Sequence, residues 1–94
     1  MEILGLIWLP EVVGKIETKH QVTVVEVEEL FQGSPRVFFV EEGDYLGEDL
    51  YLALGRSAAG RYLMVVFLHK KTGEALVISA RDMAAKERRR YEQK

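Results

Sequence analysis

The chain has 94 residues, 48% of them hydrophobic, and no cysteine. That describes one domain (residues 1–94) around one core, and it excludes disulfides and thiolate metal sites. The net charge of −2 divides unevenly: residues 1–51 hold eleven acidic and three basic groups, or −8, while residues 52–94 hold ten basic and four acidic, or +6.

Glu2 to Leu9 reads as a strand: its apolar run is too short to span a bilayer and lacks the basic flank of a signal peptide. The absence of cysteine suits a reducing, cytoplasmic setting. Pro10 suits the first turn of a helix over Glu11 to His20, with Val12, Val13 and Ile16 on one stripe and Lys19 and His20 in its last turn. Thr23-Val24-Val25-Glu26 has capping-box spacing and opens a second helix, with Val24, Val27, Leu30 and Phe31 on one face. Gly33 ends that helix and Pro35 prevents its continuation.

Arg36 to Val40 reads as a strand, followed by an acidic loop over Glu41 to Asp49. Three further runs, Leu50 to Leu54, Tyr62 to Leu68 and Ala75 to Ala80, are rich in strand formers. The turn signals Ser57-Ala58-Ala59-Gly60 and Lys70-Lys71-Thr72-Gly73 separate them. In an antiparallel meander the first and third of these point the same way, so Arg56 and Arg81 finish at one rim, two strand spacings or about 10 Å apart. Two guanidinium forks at that separation suit one or two neighbouring phosphates. Asp82 stands where it can cap a last helix, Met83 to about Glu92, which aligns Met83, Glu87 and Tyr91 and is strongly basic through Lys86, Arg88, Arg89 and Arg90. The predicted order is β-α-α-β-β-β-β-α, an α+β fold with a mainly antiparallel sheet.

No phosphate-cradling glycine loop, serine-hydrolase motif or calcium-loop spacing is present, and the only two histidines, His20 and His69, are 49 residues apart. Chemistry without a metal remains open to this inventory, and no cofactor is expected. His69, in a basic turn, reads as solvated. His20 is the better proton-transfer candidate, because imidazole titrates near neutrality; its structural alternative is the end of a helix. Cleaving RNA without a metal requires a base for the ribose 2′-hydroxyl, cationic donors for the phosphorus and a proton for the leaving oxygen. His20, Arg56, Arg81 and the basic helix hold those parts, provided that they converge.

These residues carry a family likeness. Ile7-Trp8-Leu9-Pro10, Lys19-His20, Glu48 to Ser57, Gly60 to Phe67, Val77 to Arg81 and Ala85 to Glu92 together resemble the BrnT family of type II toxins, ribonucleases with a RelE-like fold. The resemblance implies cleavage of cellular RNA, arrest of translation, and neutralisation by a BrnA-like antitoxin with a ribbon-helix-helix DNA-binding part. It places catalysis at His20, Arg56 and Arg81, and RNA binding at Lys19, Lys86, Arg88, Arg89 and Tyr91, with no membrane or metal partner. Two positions depart from the family pattern: Leu9 stands for the aspartate of Trp-Asp-Pro, and Gln21 for the glycine after Lys-His. The rival reading is a catalytically silent toxin-fold module that only binds its partner.

Overall fold

The computed structural model describes residues 1–44 and 47–93. Eight elements follow in the expected order: β1 (Leu6–Ile7), α1 (Pro10–His20), α2 (Val24–Gln32), β2 (Arg36–Glu41), β3 (Leu50–Arg56), β4 (Tyr62–His69), β5 (Ala75–Asp82) and α3 (Ala85–Glu92). The strands make one sheet in the order β1-β5-β4-β3-β2. All pairings are antiparallel except β1 with β5, which is parallel. The fold is α+β, as the sequence predicts. The acidic loop expected over Glu41 to Asp49 includes Tyr45 and Leu46, which lie outside the described residues.

Register sorts the side chains. Opposed residues in an antiparallel pair share a face, and alternate residues share a face along a strand. Ala53 opposes Val65, which opposes Ala80, and Tyr51 opposes Phe67, which opposes Val77. That face meets α1 and α2 through Val12, Ile16, Val27 and Leu30, all buried, to form the main core. Phe31 meets Phe67 edge-on at 5.4 Å. Each such fully buried aliphatic or aromatic side chain stabilises the fold by roughly 1.5–3 kcal/mol. Gly55 lets α2 come close, because a Cβ there would lie 3.0 Å from Leu30 Cγ and 3.3 Å from Pro35 Cβ.

The opposite face carries Leu54, Arg56, Tyr62, Met64 and Arg81. Here α3 packs, with buried Leu54 and Met64 in the sheet beneath it. Arg36 on β2 fastens the far end of α3 by donating to the carbonyls of Arg90 at 3.0 Å and Tyr91 at 2.9 Å, and to that of Gln93. A positive side chain at a helix C-terminus also complements the macrodipole.

Three local expectations change. The first strand shrinks from Glu2–Leu9 to Leu6–Ile7, because its partner β5 begins only at Ala75, opposite Leu6. Asp82 does not cap α3: it is the last residue of β5 and is bound to Arg61, so α3 starts at Ala85 after Ala84. His69 is half-buried rather than solvated; its ring sits edge-on to Tyr51 at 6.2 Å and its Nε2 is shielded, with no hydrogen-bond partner among the described residues. The capping box is present, with Glu26 N–H donating to Thr23 Oγ1 at 3.2 Å and Thr23 N–H donating to Glu26 Oε1 at 3.0 Å.

Candidate functional site

The β3–β4 turn sets the geometry of the rim where Arg56 and Arg81 end their strands. At the β3–β4 turn, Gly60 N–H donates to Ser57 O at 2.9 Å, and Gly60 adopts φ +90°, a conformation that glycine adopts freely. Arg56 folds back over this turn and donates from Nε to Gly60 O at 3.3 Å. A Cβ on Gly60 would stand 2.8 Å from Arg56 Nη2, so the glycine also makes room for the guanidinium.

Arg56 Cζ lies 4.7 Å from the centre of the Tyr62 ring, and Arg88 Cζ, from α3, lies 3.8 Å from the same centre. The two charges are therefore no farther apart than the sum of those distances. Tyr91 meets Tyr62 edge-on at 6.0 Å. Stacking on a ring holds each guanidinium while leaving donors at its edge for solvent or a ligand, although Arg56 Nε is taken by Gly60 O and Arg88 Nε lies 3.7 Å from Glu92 Oε2. Both arginines are exposed. Two cations on one aromatic ring repel each other, and an anion between them relieves that repulsion.

Arg81 stands on the same face, opposite Met64, one step along β4 from Tyr62 on that face. Its guanidinium meets Glu87 end-on, Nη1 to Oε1 at 2.8 Å and Nη2 to Oε2 at 2.7 Å, and Nη1 also donates to Asp82 O at 2.9 Å. Glu87 Oε1 accepts the Ala84 N–H at 2.8 Å, closing the first turn of α3. The Glu87 carboxyl is held below its ordinary range, first by the Arg81 hydrogen bonds and then, against the cost of burial, by the Ala84 N–H. The same pair raises the pKa of Arg81. Lys86 and Arg89 are exposed on α3.

His20 occupies a different place. It ends α1, which packs on the sheet face that carries the main core, and is half-buried; its carbonyl accepts from Arg61 and its charge acts on Asp82, next to Arg81. Among the described residues, no side-chain hydrogen bond or ion pair joins His20 to Arg56, Arg81 or α3. Lys19 is exposed on the same helix end. The structure thus gathers Arg56, Arg81, Arg88 and Tyr91 on one face, with Lys86 and Arg89 on the same helix, and sets Lys19 and His20 apart.

Arg61 is the residue to which the sequence reading gave no role. It precedes β4 and joins three elements. Nε and Nη2 bind Asp82 at 2.7 and 3.0 Å, and Nη1 reaches both Glu26 oxygens at 3.2 and 3.3 Å. Nη1 also donates to Gln21 O at 2.6 Å and Nη2 to His20 O at 2.9 Å. The Asp82 hydrogen bonds raise its pKa most, with Glu26 adding to them against desolvation. Arg61 in turn lowers that of Asp82, with a smaller contribution from the charge of His20. Arg61 therefore caps the C-terminus of α1, where Gln21 adopts φ 52° in place of the glycine of the family pattern. In the sequence Glu87 is the middle member of the Met83, Glu87, Tyr91 line; its pairing with Arg81 depends on how α3 turns back across β5.

Among the described residues, no group of three or more His, Asp or Glu side chains is placed to hold a metal ion, and no helix is long and apolar enough to cross a membrane. A comparison with curated proteins finds no match. The family profile for the ribonuclease toxin BrnT of type II toxin-antitoxin systems matches residues 14–87. That span runs from within α1 to Glu87, taking in Arg56, Arg61 and Arg81, and the chain belongs to the BrnT family of type II ribonuclease toxins.

Proposed function

We propose that this toxin is a metal-independent endoribonuclease that cleaves cellular RNA and thereby arrests translation. The observation that carries the reading is the convergence of Arg56 and Arg88 on the Tyr62 ring, beside Arg81 on the same sheet face. Guanidinium edges at that spacing bind consecutive backbone phosphates, and Tyr62 and Tyr91 offer rings to unstacked bases. Lys86 and Arg89 extend the basic track along α3. Arg81 stabilises the negative charge that grows on the scissile phosphate. A BrnA-like antitoxin with a ribbon-helix-helix part neutralises the toxin, and the complex binds DNA through that partner.

The test is regulated expression in bacteria, scoring growth and total RNA integrity, followed by cleavage of RNA by the purified chain in the presence of a chelator. Growth arrest with fragmented RNA, and loss of both in Arg56→Ala, is the expected result. A folded wild-type chain that cuts no RNA, yet still binds the antitoxin, would replace this reading with the silent module.

A further inference from the structure

An arginine presents two forked edges, one formed by Nη1 and Nη2 and the other by Nε and Nη2. In Arg81 the first edge is taken by Glu87, while on the second edge Nε and the remaining N–H of Nη2 make no hydrogen bond among the described residues. The Glu87 carboxylate is likewise half committed. Oε1 accepts from both Arg81 and Ala84, whereas among the described residues Oε2 accepts only from Arg81 Nη2, which leaves one lone pair on Oε2 open to a ligand. Glu87 is shielded, with 13% of its side chain exposed. A phosphate on the free edge of Arg81 would share Nη2 with Glu87 Oε2. Two acceptors on one planar nitrogen lie about 120° apart, which sets Oε2 about 5 Å from that phosphate oxygen. A ribose 2′-hydroxyl poised about 3–3.5 Å from the phosphorus then falls within hydrogen-bond reach of Oε2.

Resting on the ribonuclease reading above, we propose that Glu87 is the catalytic base that activates the 2′-hydroxyl of the scissile nucleotide, with Arg81 holding both the carboxylate and the phosphate. The 2′-oxygen gives up its proton to Oε2 and its lone pair forms the new bond to phosphorus. The bond from phosphorus to the 5′-oxygen breaks, its electron pair leaves with that oxygen, and water supplies the proton that completes the 5′-hydroxyl. The products are a 2′,3′-cyclic phosphate and a 5′-hydroxyl end, and the carboxyl returns its proton to solvent. His20 is not needed for the base step.

The test compares wild type with Glu87→Gln and Glu87→Ala on one RNA, and measures binding of the same sequence carrying 2′-deoxyribose at the cleavage site. Glutamine keeps the oxygen that accepts from Ala84 but cannot take a proton, so its cleavage should fall by about 10²–10⁴-fold. Binding of the uncleavable analogue should stay within about threefold, and added formate should restore at least about tenfold of the Glu87→Ala rate by replacing the lost carboxylate. A cyclic phosphate end on the wild-type product supports the same step. Near-normal cleavage by Glu87→Gln overturns the inference while leaving the ribonuclease reading intact. So does a slow Glu87→Ala that ignores formate and binds the analogue poorly, since Glu87 then only orients Arg81. A wild type that cuts no RNA removes the ribonuclease reading and this inference together.

Discussion

Arg61→Ala tests the fold at the point where three elements meet. The side chain of Arg61 is 26% exposed, that of Glu26 23% and that of Asp82 63%. The Asp82 pair is largely in water and contributes about 0.5–1 kcal/mol, and the Glu26 pair a similar amount. Hydrogen bonds from a charged donor are worth about 1.5–3 kcal/mol when buried, so partial exposure leaves about 1 kcal/mol for each bond to the carbonyls of His20 and Gln21. Alanine should therefore destabilise the protein by about 3 kcal/mol.

For a domain of this size each kcal/mol shifts Tm by about 4–8 °C, so the expected fall is about 15 °C. Thermal unfolding followed by circular dichroism reads it directly. Arg61→Lys should recover less than half, because a single ammonium cannot span the two carboxylates and two carbonyls that a planar fork reaches. A fall in Tm below about 4 °C would show that α1, α2 and β5 hold together without this residue.

Arg56→Ala should reduce RNA cleavage by about 10²–10³-fold, the scale of losing one preorganised donor. Its Tm should move little, since Arg56 is exposed at a strand end; Arg81→Ala is less clean, because it also releases Glu87 and α3. Reversing Arg88 and Arg89 to Glu should flatten the salt dependence of RNA binding, read by titration at several salt concentrations, and an unchanged slope would take α3 out of the interface. Gln21→Gly should raise stability by about 1 kcal/mol, because glycine adopts the left-handed conformation without strain. Acid should weaken the fold: the ordinary values are 4.5 for Glu87 and 3.8 for Asp82, and both are lowered in the folded state. The folded state then binds fewer protons than the unfolded one, so this stability is complete above those ordinary values and is lost as pH falls through the lowered ones. A Tm that stays flat as the pH is lowered through that window would contradict it.

What was legible in the sequence was local. Thr23 and Glu26 are three residues apart, and Gly60 and Gly73 close turns between adjacent strands, so each feature is written in one short window. The rim arginines could also be read, since alternation and strand direction alone bring Arg56 and Arg81 to one end. Arg61 could not: its partners Gln21, Glu26 and Asp82 come from three separate segments, and nothing in the spacing shows that they meet. The pairing of Arg81 with Glu87 crosses from a strand to a helix through Met83 and Ala84, and its geometry depends on the angle of that turn. His20 shows the converse problem. Its sequence context points to chemistry, but the hydrogen bond that ties it to this end of the fold is made by its carbonyl, which accepts from Arg61.

The division of charge along the chain becomes a division between faces because of where the helices go. α1 and α2, with Glu11, Glu17, Glu26, Glu28 and Glu29, cover one side of the sheet. α3 lies on the other, where Arg36, Arg56, Arg81, Arg88 and Arg90 gather. A net charge of −2 therefore says little about what a polyanion meets on approach. At short range the nearer face dominates, because physiological salt screens charges beyond about 8 Å. RNA approaching α3 meets guanidinium groups held on aromatic rings, while the far side repels it, so the same distribution that draws the ligand also orients it. Glu87, on α3, is fixed against Arg81. Its negative charge would oppose RNA binding if it stood alone. Paired with Arg81, it places a base beside a phosphate site without making that site repulsive.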